Sequence, residues 1–208
     1  MFIELSEALA CPDCGPPQGL VVVVEGLDGR RVLDGFLGCP ICEGRFPIRE
    51  GVVELGGESG SHPVSQAEIA SEQLAEMIAA LFDVRDGRGY ILLDEALEPV
   101  AERVAALTGG CETIALADTI LPDVPAPGTN RVSGAGPTLP VQTGRLRALA
   151  LGGPTEARLS DAIRALGPDG RLVVVSPSVK IREALANLPV QPLADESIAF
   201  LGVVSATG

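Results

Sequence analysis

The 208-residue sequence predicts an α/β protein in two parts: a small four-cysteine metal ribbon, then a larger, mostly parallel sheet with helices on both faces. Three observations carry that expectation. Two C-x-x-C pairs, Cys11-Pro12-Asp13-Cys14 and Cys39-Pro40-Ile41-Cys42, flank a hairpin pattern in the first quarter of the chain. Beyond a Gly/Ser-rich stretch, apolar runs of strand length alternate with amphipathic runs of helix length. Hydrophobic residues make up 46% of the chain, enough for a sizeable core and too many for wholesale disorder.

The ribbon is organised by its cysteines. A C-x-x-C pair forms a tight turn that aims two sulfurs at one point, and two such turns supply a tetrahedral site whose default occupant is Zn2+. The ligands expected are Cys11, Cys14, Cys39 and Cys42. Proline inside each pair and glycine just after it (Gly15, Gly44) suit these turns. A short ribbon cannot bury enough surface to hold itself together, so a metal there contributes folding free energy. Four metal-free buried thiols or a redox-active pair are the competing readings, and two copies flanking a hairpin favour the metal. Residues 5–10 read as a short helical or turn segment, and the aliphatic run 20–25 as a strand. Asp28-Gly29 gives a hairpin turn signal, with the return strand over 31–37. Residues 45–49 alternate apolar and polar side chains, Glu50-Gly51 turns the chain, and 52–55 closes the ribbon near Gly57.

Residues 56–63 have linker composition and hold His62, the only histidine. A solvated linker side chain is the simple reading of His62, against a fifth ligand or a general base. The division expected is therefore a ribbon over 1–57, a linker over 58–65 and an α/β domain over 66–208. Ser65 with Glu68 reads as a capping box, followed by an apolar helix face of Ile69, Leu74, Met77, Ile78 and Leu81 through Phe82. Strands are expected at 90–93, 112–117, 146–151, 171–175 and, as a closing apolar run, 197–205. Arg131-Val132 marks a weak further strand after the proline-rich stretch 121–130. Helices are expected at 98–107, 155–166 and 179–188, with a turn at 167–170. Parallel strands need crossovers, and repeated βα units supply them.

Two resemblances follow from these motifs. Cys-Pro-x-Cys, a hairpin, Cys-Pro-x-Cys and then Arg45-Phe46-Pro47-Ile48-Arg49-Glu50-Gly51-Val52 resemble the small zinc-ribbon family of methyltransferase activator subunits, over residues 1–57. That likeness implies a ribbon that binds and stabilises a methyltransferase rather than doing chemistry. The proline of the usual Ile-Pro pair after the final turn is missing here. The stretch 146–175, with its Leu166-Gly167-Pro168-Asp169-Gly170 turn, is similar to class I S-adenosylmethionine-dependent methyltransferases, a Rossmann-like fold, over residues 66–208. Active members of that family run the first strand into a glycine-rich turn that leaves room for the cofactor. This chain reads Leu93-Asp94-Glu95-Ala96-Leu97-Glu98 there, without glycine. Its side chains would fill the ligand's space, and Glu95 and Glu98 would set negative charge against a carboxylate. Asp118 stands where the family keeps a ribose-binding acid, though a lone Asp is more often a turn or cap residue. Binding of S-adenosylmethionine is therefore doubtful on this reading.

Other features narrow the function classes. A net charge of −13 disfavours a nucleic-acid or anionic-membrane footprint, both of which need clustered Lys and Arg. Aromatics at 3%, with no Trp, leave little base-stacking surface. The longest aliphatic run, 20–24, is far shorter than the roughly 20 residues of a membrane span. The first ten residues carry Glu4 and Glu7 instead of a basic start to a signal segment. With Cys111 unpaired, a reducing cytoplasm is the compartment expected. Asp94, Glu95 and Glu98 are read as acids complementing a helix N-terminus rather than a hard-metal site. Gly134 to Pro137 and Gly152-Gly153-Pro154 lack phosphate-loop spacing, and Cys111 is read as a small core residue. No nucleophile–base pair is evident.

The sequence thus leads to a non-catalytic zinc-binding protein with a degenerate methyltransferase-like domain, a pseudoenzyme that binds or stabilises another protein, with homo-oligomers also possible. The alternatives are an active methyltransferase with a divergent cofactor loop and an electron carrier with iron in the four-cysteine site.

Overall fold

Strand propensity in the first quarter of the chain resolves into six short strands. The computed structural model describes residues 1–56, 71–84, 87–117, 126, 128–134, 136 and 138–205. A 3-10 turn over Ile3–Glu7 leads to β1 (Ala10–Cys11), which pairs antiparallel with β2 (Gly15–Gly19). β3 (Val21–Asp28) and β4 (Arg31–Gly38) make the expected hairpin. Asp28 pairs with Arg31, so the loop has two residues, and Gly29 takes the left-handed backbone (φ +58) such a loop needs. β5 (Arg45–Arg49) and β6 (Val52–Glu54) continue the antiparallel meander.

The remainder alternates strand and helix. It runs α1 (Ser71–Phe82), β7 (Tyr90–Leu93), a 3-10 helix (Glu95–Val100), α2 (Ala101–Leu107), β8 (Glu112–Ala117) and β9 (Thr129–Ser133). There follow β10 (Leu146–Gly152), α3 (Glu156–Ala165), β11 (Leu166–Val175), α4 (Val179–Ala186), β12 (Val190–Asp195) and β13 (Ala199–Val204). The helix expected at 98–107 is divided because Pro99 sits in the 3-10 segment and lacks the N–H that an α-helical ladder requires. Thr155 caps α3, its hydroxyl accepting from Arg158 N, and Ser178 caps α4 by accepting from Ile181 N. The turn expected at 167–170 is an irregularity inside β11, with Asp169 at φ +58. His62, Ser65, Glu68, Ile69, Asp118 and the 58–65 linker lie outside the described residues.

Eleven strands form one sheet in the order β12-β13-β11-β10-β7-β8-β9-β6-β5-β4-β3. A mostly parallel sheet was the expectation, and the whole sheet departs from it: five of its ten pairings are parallel and five antiparallel. The ribbon brings three antiparallel pairings. The C-terminal strands bring two more, because the few residues between β12 and β13 can close a hairpin but not a crossover. The run 197–205 forms β13, and β12 before it, mostly exposed and containing Pro192, has no expected counterpart.

The ribbon joins the α/β strands edge to edge. β6 pairs in parallel with β9, Val53 opposite Val132 and Glu54 opposite Ser133, and Leu55 N donates to Ser133 O at 2.9 Å. All five residues of β9 are buried, although four are polar. Three of the four polar side chains have partners: Asn130 donates to Glu112 and accepts from Phe2 N, Arg131 donates to Glu98, and the Ser133 hydroxyl donates to Val53 O, while the Thr129 hydroxyl is buried without one. A second seam runs from Leu9 to Val141, with Ala10 N donating to Pro140 O and Gln142 N to Ala8 O.

Side chains alternate between two cores, as the pleat requires. Ile91, Leu93, Ala115, Ala150 and Val173 face α1 and α2. Leu92, Ile114, Leu149, Leu172 and Val174 face α3 and α4, and that cluster continues through Val132 and Val53 into Leu9, Leu37 and Ile48 of the ribbon. One hydrophobic core therefore spans both parts.

Candidate metal centre and the carboxyl end of the sheet

Strand ends bring the four cysteines together. Cys11 closes β1, Cys14 precedes β2, Cys39 follows β4, and Cys42 lies in the turn before β5. Glu43 N donates back to Cys39 O and Cys39 N to Gly44 O, closing the second turn with Glu43 in left-handed backbone (φ +60). A Cβ on Gly44 would stand 3.2 Å from Cys42 Sγ and 3.3 Å from Asp13 Oδ2, so glycine there lets the two turns approach. These are the four cysteines that the C-x-x-C spacing singles out.

The four Sγ atoms all lie within 4.8 Å of one another. Cys11 Sγ is 3.6 Å from Cys42 Sγ, and Cys14 Sγ is 3.7 Å from Cys39 Sγ. A tetrahedral site with metal–sulfur bonds of about 2.3 Å has edges of about 3.8 Å. A disulfide would need sulfurs about 2.05 Å apart, and all five cysteines are free thiols. The four cysteines can therefore hold a metal ion. Without a metal, hydrogen bonding to the Cys42 sulfur pushes the Cys14 thiol up to about 12. A bound cation reverses that tendency, because its charge favours thiolate.

At the carboxyl end of β7 the chain enters the glycine-free segment. Asp94 is buried; its N donates to Ala150 O at 3.2 Å and its Oδ2 accepts from Gly152 N at 2.8 Å. Ala96 and Leu97 press on the end of β10. A Cβ on Gly152 would lie 2.9 Å from Ala96 Cβ and 3.3 Å from Leu97 Cγ. Glu95 forms a buried ion pair with Arg158 of α3 at 3.1 Å, and Arg158 also donates to Gly136 O at 2.9 Å. Glu98 pairs with Arg131 of β9 at 2.9 Å. The turn after β7 thus places side chains where a glycine turn would leave bare backbone.

The expectation for these acids needs refinement. As expected, Asp94 stands at the N-cap of the 3-10 helix and Glu95 and Glu98 lie in its first turn; in addition, Glu95 and Glu98 are neutralised by Arg158 and Arg131, which distant elements bring in. The polar, loop-like setting of Arg131 and the amphipathic setting of Arg158 give no sign of that pairing. Asp94 is pushed up to about 7, chiefly by burial and further by the charge of Glu95, while the Gly152 N–H and Arg158 pull the other way. Asp94 Oδ1 and Arg158 Nη1 are buried without a hydrogen-bond partner. Cys111 is buried in the core as expected, its Sγ 3.3 Å from Arg88 O.

No protein-family model and no curated protein matches this sequence. Solved structures do match. A chain from the complex of the Haloferax volcanii Trm112 methyltransferase activator with a candidate methyltransferase is 13% identical, with a TM-score of 0.52, over 63% of this chain and 88% of that one. The Thermotoga maritima SAM-dependent O-methyltransferase is 13% identical, with a TM-score of 0.51, over 69% of each chain. The precorrin-6y C5,15-methyltransferase of Geobacter metallireducens is 12% identical, with a TM-score of 0.52, over 67% of this chain and 91% of that one. The larger part of this chain has the methyltransferase-like α/β fold, and its four close cysteines are consistent with a zinc ribbon. No helix among the described residues is long and apolar enough to cross a membrane.

Proposed function

We propose that this chain is a non-catalytic, zinc-stabilised scaffold: a four-cysteine ribbon fused to a methyltransferase-type fold whose cofactor turn is filled, acting by binding or stabilising another protein. One observation carries the reading. The segment after β7 is bonded shut, with Asp94 on Gly152 N, Ala96 and Leu97 against the Gly152 backbone, and Glu95 on Arg158. A cofactor's amino-acid and ribose part needs close approach to backbone at that place. The described residues at this end do not fit S-adenosylmethionine, and no chemical step through it is assigned to them. Cys11, Cys14, Cys39 and Cys42 do fit Zn2+, which would supply folding free energy to the ribbon and no reaction. That a fold neighbour comes from a complex between a methyltransferase activator and a candidate methyltransferase supports a ribbon whose role is to support an α/β partner. Here β6 already performs that role within one chain by pairing with β9.

The competing reading, an active methyltransferase, draws on the fold alone, and fold does not supply function. Isothermal calorimetry with S-adenosylmethionine and S-adenosylhomocysteine separates the two. The scaffold reading expects no heat of binding at ligand concentrations up to about 1 mM, and micromolar binding would sink it. Elemental analysis of the same sample should give one zinc per chain. A coloured, iron-loaded protein would instead favour electron transfer.

A further inference from the structure

The four cysteines differ in how far solvent reaches them. Cys42 is exposed and Cys14 half-buried, whereas Cys11 and Cys39 are buried. Ile41, beside Cys42, is 68% exposed, so the second knuckle is open from outside. Two sulfur contacts each join one knuckle to the other: Cys42 Sγ lies 3.6 Å from Cys11 Sγ, and Cys14 Sγ 3.7 Å from Cys39 Sγ. Each contact sets an accessible sulfur against a buried one. An accessible thiolate poised beside a second sulfur is the arrangement of a redox sensor.

We infer that a peroxide converts this metal site into two disulfides that bridge the knuckles, Cys11–Cys42 and Cys14–Cys39, with release of the metal. The inference deepens the scaffold reading and rests on its zinc. Held as thiolates by a bound metal, the sulfurs are in the form that a peroxide attacks. Cys42 Sγ attacks one peroxide oxygen, the O–O bond breaks, and the sulfur becomes a sulfenic acid while hydroxide leaves. Cys11 Sγ then attacks the sulfenic sulfur, the S–S bond forms and a second hydroxide leaves. Two protons from solvent turn both hydroxides into water, so the two sulfurs lose two electrons and the peroxide gains them. With two of its four ligands consumed the metal is free to leave, and Cys14 and Cys39 repeat the step with a second peroxide.

The sulfurs must approach to about 2.05 Å. The second knuckle can supply that movement, because residues 39–44 lie outside any strand. Bridges between the knuckles span 31 and 25 residues of chain, against three within a knuckle. They therefore restrain the unfolded chain more, and they keep the ribbon closed without its metal. Ala10, next to Cys11, then still donates its N to Pro140 O of the α/β part. Oxidation thus removes the metal while leaving the ribbon docked, which chelation does not.

The zinc-loaded full chain is treated with an excess of hydrogen peroxide beside a chromogenic chelator, and remaining thiols are then blocked in acid. Elemental analysis beforehand should give one zinc per chain; peroxide should release all of it, and the same chelator without peroxide should not. Trypsin cleavage after Arg30, Arg31 and Arg45 leaves Cys11 and Cys14 on residues 1–30, and Cys39 and Cys42 on residues 32–45. Non-reducing mass spectrometry should find these two peptides joined, and fragmentation between Cys11 and Cys14 should assign Cys11–Cys42 and Cys14–Cys39. Dithiothreitol with added zinc should reverse both changes, and the oxidised chain should melt at a higher temperature than the reduced, chelated one. Cys111→Ser should behave as wild type, since that core thiol lies outside the four-cysteine group. Zinc that stays bound under peroxide overturns the inference. So do peptides that stay separate with a bridge inside each knuckle, bridges Cys11–Cys39 and Cys14–Cys42, or sulfinic and sulfonic products that dithiothreitol does not reduce. A chain that holds no zinc before peroxide is added fails the metal reading itself, and this inference with it.

Discussion

Asp94 sits where burial and hydrogen bonding pull its proton affinity in opposite directions. Burial pushes its carboxyl from 3.8 to about 7, and the Gly152 N–H restrains the rise. In the unfolded chain the group ionises near pH 4, whereas in the folded chain it holds its proton to about pH 7. Between those values the folded state binds more protons than the unfolded state, so this residue's contribution to stability falls as pH rises. Below about pH 4 both states are protonated and the contribution is at its best. Above about pH 7 the loss is complete and flat. Asp94→Asn keeps an oxygen for Gly152 N without a titrating proton. Urea unfolding at several pH values should show the variant gaining on wild type from about pH 4 to about pH 7, by a few kcal/mol at most. A difference between the two proteins that does not change over that interval would show that Asp94 ionises normally. The unpartnered Oδ1 is the structural sign of the same conflict.

At the scale of elements, the 3-10 helix after β7 and the end of β10 are fitted to each other through one missing side chain. Gly152 has ordinary backbone there, so alanine is excluded by space alone: its Cβ would meet Ala96 Cβ at 2.9 Å. Gly152→Ala should cost about 1–3 kcal/mol as an overpacked contact. Combined with Ala96→Gly it should cost much less than the two single effects summed, read from urea midpoints at constant m-value. Strict additivity would mean that the turn gives way without loss. This contact is not visible in the sequence. What can be read there are local signals: the paired cysteines, the Asp28-Gly29 hairpin, the aliphatic runs of β7, β10 and β11, and the start of α3 near Thr155. Long-range pairing leaves no local trace. β9 is only faintly marked, since Asn130, Arg131 and Ser133 look like loop residues until Glu112, Glu98 and Val53 supply their partners. β12 is hidden for the same reason, its Pro192 and exposed side chains resembling a connection. The absence of glycine after β7 is legible directly, but the arginine partners of Glu95 and Glu98, brought in by α3 and β9, are out of reach of any local pattern.

For the whole molecule, the decisive feature is that the sheet and one core cross from the ribbon into the α/β part. Val53 pairs with Val132, Leu9 bridges to Val141, and Leu37, Ile48, Val132, Leu149 and Leu172 belong to one buried cluster. A metal held by the four cysteines should therefore stabilise strands far from it. In zinc-finger peptides a structural zinc contributes on the order of 10 kcal/mol at neutral pH, and here part of that energy would be transmitted through β6 and β1. Removing the metal with a chelator should lower the thermal midpoint of the entire chain, with loss of helix and sheet signals in one transition. Amide exchange in β9 and in residues 139–142 should quicken together with that in the cysteine turns. Cys42→Ser should reproduce the effect, because Cys42 is exposed and its loss removes a ligand with little packing. Cys111→Ser, in the core and outside the four-cysteine group, should leave zinc content unchanged while lowering stability. The opposing outcome is a ribbon that melts alone: two transitions after chelation, with β9 exchange as slow as before. That result would make the β6–β9 pairing a contact between independently stable units, and the zinc's influence would end at the ribbon.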